Sequence, residues 1–148
     1  MFILYGDDEQ VARDLVVKAL TAKGYKVQAI DTSRTEEMTT GLKSLVAEHG
    51  TPDILVLDGH NILLDRAGNR LYDMTPLGMT SWLRQNGLSA QCKFILYSND
   101  DKLVEQTLSS RTLKFYGAVS KSGQNGGLMA LLHIIERAAV DTSTGVEA

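Results

Sequence analysis

The chain has 148 residues, 43% hydrophobic and 22% charged, which is enough for one well-buried core and argues for one domain rather than two. A formal net charge of −3, with no run of Lys and Arg to track phosphates, excludes a basic stripe, so direct nucleic-acid binding is not expected. Its longest apolar runs are far too short to cross a bilayer, and the single cysteine, Cys92, cannot form an internal disulfide; with no N-terminal signal pattern, the expected setting is reducing and cytoplasmic.

Short apolar runs alternate with helical patterns. Residues 2–5 read as a buried strand, and Val11, Leu15, Ala19 and Ala22 follow at helical spacing. Residues 27–30 give a second strand; Met38, Leu42, Leu45 and Val46 mark a second helix. A third strand covers residues 54–57. Beyond it, Thr75 can cap a helix and Pro76 suits its first position, which predicts a third helix over residues 76–85. The fourth strand is 94–97, sharing the letters FILY with the first without matching sequence downstream. Leu103, Val104, Thr107 and Leu108 mark the next helix, residues 116–119 the fifth strand, and Leu128, Leu131, Leu132 and Ile135 one face of the last helix. Residues 141–148 are expected to form a disordered tail. Strands apolar on both faces and separated by helices fit the α/β class: a five-stranded parallel sheet, doubly wound, with helices on both faces.

In such a sheet the carboxyl ends of the strands share one edge, and ligands bind there. Asp7 and Asp8 follow the first strand and Asp58 closes the third, so three carboxylates converge. Like charges at that range are unfavourable unless neutralised. Mg2+ suits the position, because it takes carboxylate and water oxygens without needing a full protein cage. Plainer roles exist for these residue types. Asp7 and Asp8 could cap the first helix, Ser98 could start the helix after the fourth strand, and Lys121 could be a solvated loop lysine.

Taken together, these residues resemble the receiver domain of response regulators, the phosphoacceptor module of two-component signalling. Asp7-Asp8-Glu9, with Leu15, Leu20 and Gly24-Tyr25 after it, is similar to the family's opening strand and first helix. Asp58, at the end of ILVLD, matches the phosphoacceptor aspartate; Ser98 matches the small hydroxyl residue that contacts the phosphoryl group, and Lys121 the family lysine. The resemblance covers residues 1–140 and implies the flavodoxin-like strand order 2-1-3-4-5. It further implies that Asp58 accepts a phosphoryl group from a phosphohistidine on a sensor histidine kinase or histidine phosphotransfer protein. Mg2+ would sit on Asp7, Asp8, Asp58 and the backbone carbonyl of His60, with Ser98 and Lys121 completing the set. Such a domain catalyses its own phosphorylation and dephosphorylation and is not otherwise an enzyme. With no effector domain following, a stand-alone receiver acts by binding an output protein or feeding a phosphorelay, homodimerisation being open. The alternative is a receiver-like adaptor that binds partners without phosphorylation.

Departures from the family pattern are informative. Ser122 follows Lys121 where receivers usually carry Pro, so the glycines of residues 122–127 are expected to bend the backbone instead. Ala118 occupies the position of the usual aromatic switch; Tyr116 and Tyr97 are near in sequence but do not match it. After Asp58, residues 59–75 form an insertion of roughly ten residues where loops are usually short. Its apolar ends, Ile62, Leu63 and Leu64, then Leu71 and Tyr72, flank Ala67-Gly68-Asn69, which predicts a small β-hairpin acting as edge cover, lid or docking surface. Asp100 is expected to face the approach to Asp58. A zinc site lacks ligands, since His49 and His133 fall on helices away from His60, and a haloacid-dehalogenase-type phosphatase would want an aspartate where His60 stands.

Overall fold

Alternation of side chains along each strand divides the apolar residues between two faces of one sheet. The computed structural model describes residues 1–32, 35–58, 61–64, 70–74, 91–110 and 115–143. In chain order the elements are β1 (Phe2–Asp7), α1 (Gln10–Ala22), β2 (Lys26–Asp31), α2 (Thr35–His49), β3 (Ile54–Leu57), β4 (Asn61–Leu64), β5 (Arg70–Met74), β6 (Lys93–Ser98), α3 (Asp101–Ser109), β7 (Gly117–Ser120), a 3-10 turn (Gln124–Gly127) and α4 (Leu128–Ser143). Five strands pair in the order β2-β1-β3-β6-β7, every pair parallel. Counted over these five, this is the expected order 2-1-3-4-5.

One face gathers Ile3, Tyr5, Ile54, Val56, Ile95 and Val119 beneath Val16 and Leu20 of α1 and Leu131, Ile135 and Ala138 of α4. The other gathers Leu4, Ile30, Leu55, Leu57 and Phe94 against Leu42 of α2. Each fully buried leucine among them stabilises the fold by roughly 1.5–3 kcal/mol relative to exposure. Leu55, on the central β3, is wholly enclosed, and truncating it to Ala is expected to destabilise the domain by about 2–5 kcal/mol.

The first helix is where expected, but its buried face is not. Val16 and Leu20 are buried, whereas Val11 and Leu15 are 80% and 54% exposed. The helix carries two apolar stripes, and periodicity alone does not say which meets the sheet. At its end the Gly24 amide donates to Thr21 O at 2.9 Å and the Tyr25 amide to Leu20 O at 3.2 Å. This closure needs Gly24 at φ +90°, a conformation that disfavours any side chain, and it turns the chain directly into β2.

Strand ends also differ from expectation. β1 runs on through Gly6 and Asp7, which pair with Ile30 and Asp31, and β6 runs on to Ser98. The hairpin is present as the antiparallel pair β4–β5, with Leu63 opposite Tyr72. Its turn, the helix expected over 76–85, and His60 lie outside the described residues. Residues 141–143, expected in the tail, belong to α4, and Asp141 accepts a hydrogen bond from the Tyr116 hydroxyl at 2.5 Å, an anchor for that last turn; residues 144–148 lie outside the described residues. No described helix is long and apolar enough to cross a membrane.

Candidate functional site

Parallel register brings the ends of β1, β3, β6 and β7 to one edge, and the candidate residues stand there. Asp7 is the last residue of β1 and Ser98 the last of β6. Asp58 follows β3, its amide donating to Gly6 O at 3.0 Å; Lys121 follows β7, its amide donating to Ser98 O at 2.7 Å. Both residues are thus fixed by their backbone to the neighbouring strand. One carboxylate oxygen from each of Asp7, Asp8 and Asp58 lies within 4.8 Å of the other two. Lys121 Nζ reaches Asp7 Oδ2 at 3.1 Å and Asp58 Oδ1 at 3.4 Å, bridging two of the three. Its side chain is 20% exposed, far from a solvated loop lysine.

The plain helix-cap role for the aspartates does not describe this geometry. The N-cap of α1 is Glu9, whose amide donates to Asp7 Oδ1 at 2.9 Å, an Asx-type turn before the helix. Ser98 is buried, and its Oγ accepts from the Asp100 amide at 3.1 Å. Asp100 is the N-cap of α3, Oδ1 accepting from the Leu103 amide at 3.1 Å. Oδ1 of Asp100 is thus engaged at the helix start, a favourable use of an Asp oxygen.

Electrostatics divide the aspartate pair. Burial raises the Asp7 carboxyl, but hydrogen bonds from Tyr5 and the Glu9 amide, with the Lys121 charge, outweigh it and hold Asp7 below the usual carboxylate range. At Asp8 a backbone hydrogen bond also lowers the carboxyl but is outweighed. Burial, then Asp7 and Asp58, push it up to about 6. Burial lowers Lys121, yet Asp58 and Asp7 more than compensate and keep it above the ordinary lysine value. Three carboxylates facing one ammonium leave a formal charge of −2 at the edge. All-oxygen donors with that charge fit a hard divalent cation of the Mg2+ type.

Two tyrosines belong to the site: Tyr5, read in the sequence only as a buried strand residue, and Tyr97, noted there only as near the switch position. Tyr5 donates its hydroxyl to Asp7 Oδ2 at 2.6 Å. Burial, then the Asp7 charge, raise its phenol far above the ordinary tyrosine value, so it stays a donor. Tyr97 packs edge-on to Tyr5 at 6.4 Å, and Lys121 Nζ lies 4.9 Å from its ring centroid. One signal was available in the sequence: residues two apart on a strand share a face, which places Tyr5 beside Asp7 and the ring of Tyr97 beneath the same edge.

Beyond Lys121 the chain turns as the glycines require. Asn125, Gly126 and Gly127 have φ of 55°, 66° and 69°. At Gly127 an added Cβ would fall 1.9 Å from Ser120 O, so only glycine fits. Flanking Lys121, the hydroxyls of Ser120 and Ser122 both donate to Asp101 Oδ1 of α3. This clasp joins the loops after β6 and β7 and holds Asp101 below its ordinary value.

No protein-family model matches the chain, and no curated protein does. Solved structures do. The N-terminal domain of a response regulator/sensory box/GGDEF 3-domain protein from Carboxydothermus hydrogenoformans is similar at TM-score 0.62 and 16% identity, over 99% of this chain and 100% of that one. A response regulator receiver protein from Pseudomonas putida is similar at TM-score 0.62 and 18% identity, over 92% and 95%. Chemotaxis response regulator CheY4 of Vibrio cholerae is similar at TM-score 0.59 and 16% identity, over 93% and 97%. Identities of this size speak for the fold. This chain has the fold of a response-regulator receiver domain.

Proposed function

We propose that the chain is a phosphoacceptor signalling domain in which Asp58 receives a phosphoryl group from a phosphohistidine of a kinase or phosphotransfer protein. The observation that carries this reading is the bridge from Lys121 Nζ to Asp58 Oδ1 and Asp7 Oδ2 at 3.4 and 3.1 Å, with Asp8 in the same cluster. A carboxylate oxygen of Asp58 attacks phosphorus in line; the P–N bond to the donor imidazole breaks, and the nitrogen keeps the electron pair. Lys121, already paired with Asp58, is placed to balance charge on the transferred oxygens, and Ser98 Oγ supplies a hydroxyl from the neighbouring strand end. Asp7, Asp8 and Asp58 would hold Mg2+, assisted by the backbone carbonyl of His60. An ion held there would supply positive charge against the phosphoryl oxygens. Output then passes to a partner protein.

Incubation with acetyl phosphate and Mg2+, followed by intact-mass measurement, tests this. One phosphoryl group is expected on the wild type and none on Asp58→Asn. The second reading, an adaptor that binds partners without phosphoryl transfer, is favoured by Ala118, a methyl side chain on β7 where receivers commonly use an aromatic switch. Absence of modification in the wild type, with the fold intact, selects it.

A further inference from the structure

Tyr5 has no role in the phosphoryl chemistry, yet its hydroxyl is aimed at the acidic edge from a fully buried position. A carboxylate offers about four lone-pair positions. At Asp7, Oδ2 accepts from Tyr5 at 2.6 Å and from Lys121 at 3.1 Å, and Oδ1 accepts from the Glu9 amide at 2.9 Å. Tyr5 and Lys121 thus take both positions on Oδ2. The bond from Tyr5 is short and ends on a charged acceptor, the stronger kind of hydrogen bond. A cation seeking Oδ2 would have to displace a phenol whose surroundings are closed to water, leaving a buried donor unsatisfied.

We propose that Tyr5 is a positioning residue that withholds Asp7 Oδ2 from the cation. Mg2+ then draws mainly on Asp8 and Asp58 and is bound more weakly than three free carboxylates would bind it. The inference rests on the Mg2+ reading of the pocket. Loss of the phenol does not release Asp7, because the Glu9 amide and Lys121 still hold it. The net effect of removing the hydroxyl is therefore to free an acceptor rather than to loosen a ligand.

Calorimetric titration of Mg2+ into wild type, Tyr5→Phe and Tyr116→Phe tests this without a phosphodonor. Tyr5→Phe keeps the ring and is expected to lower Kd by about threefold to tenfold, a part of what a hydrogen bond to a charged group contributes. Tyr116→Phe is the control. Its hydroxyl donates to Asp141 Oδ2 at the opposite end of β7 from Lys121, so its Kd is expected to stay within about twofold of wild type. A second comparison does not depend on either tyrosine variant: Asp7→Asn is expected to weaken Mg2+ binding less than Asp8→Asn does. An unchanged or raised Kd in Tyr5→Phe, equal tightening in both tyrosine variants, or the reverse order of the two Asn variants overturns the inference while leaving the Mg2+ site standing. Wild type that shows no saturable Mg2+ binding overturns both.

Discussion

Tyr97 donates its hydroxyl to the carbonyl oxygen of Gly126 at 2.6 Å, tying β6 to the glycine turn that follows Lys121. Its ring also lies under Lys121 Nζ at 4.9 Å. One side chain thus touches both the lysine and the loop behind it. Tyr97→Phe keeps the ring contact and drops the hydrogen bond, so a loss of about 1 kcal/mol is expected in urea denaturation. Tyr97→Ala removes both and opens space beside Tyr5, and a loss of about 3–5 kcal/mol is expected from the cavity. Equal losses in the two variants would show that the ring contributes nothing.

Gly127 sets how tightly the same turn closes. Its φ of +69° is unfavourable to any side chain, and an added Cβ would meet Ser120 O at 1.9 Å. Neither atom involved is the end of a flexible side chain, so relief requires backbone movement. Gly127→Ala is expected to destabilise the domain by roughly 2 kcal/mol or more, measured by chemical denaturation. Because Ser120 precedes Lys121, the variant is also expected to slow modification by acetyl phosphate. A variant as stable as wild type would show that the turn can open without cost.

Much of this was legible in the sequence, and what was not has a physical cause. Residues 54–57 match β3 residue for residue, because a strand covered on both faces has nothing but apolar side chains to write. At the carboxyl ends polarity and pairing part company: Asp7 and Ser98 are polar yet buried and still belong to their strands, so an apolar run stops short of them. Convergence of Asp7, Asp8 and Asp58 followed from topology, since parallel strands deliver their ends to one edge, whereas Lys121 was legible only through the family resemblance. The hydroxyl of Tyr5 did not, because a tyrosine in an apolar run reads as bulk. Nor did the clasp of Ser120 and Ser122 on Asp101, which depends on two loops far apart in sequence meeting side by side.

The aspartate pair gives a pH dependence with two separate windows in metal-free protein. Asp8 is raised from 3.8 to about 6 in the fold, so the folded state holds more protons than the unfolded one between those values. Stability therefore falls as pH rises through that window and stays lower above it. Asp7 is shifted the other way: its contribution is present above 3.8 and is lost as pH falls through its lower folded value. Asp8→Asn is expected to raise stability at neutral pH by about 1 kcal/mol, discounted for partial exposure, and to flatten the slope across the upper window. Thermal unfolding across pH with chelator present checks this. An unaltered slope would remove Asp8 as its source.

The hairpin β4–β5 is expected to act in partner recognition rather than in the chemistry. Asn61 begins three residues after Asp58, and three residues of chain span at most about 11 Å, so the hairpin starts beside the mouth of the acidic edge. A small donor such as acetyl phosphate needs only the edge itself. A phosphohistidine on a protein must bring a surface with it, and that surface meets whatever stands next to Asp58. Replacing residues 61–72 with a short glycine-containing loop is therefore expected to leave modification by acetyl phosphate within about twofold of wild type and to slow transfer from a phosphorylated histidine phosphotransfer protein by about tenfold or more, the loss that follows when a docked geometry is disturbed. Both rates are read by intact mass over time, after urea denaturation has shown that the shortened protein unfolds cooperatively. Equal slowing with both donors would assign the hairpin to the reaction edge, and no slowing with either would leave it as cover for the sheet. A shortened chain without cooperative unfolding would assign the hairpin's apolar residues to the core of the domain.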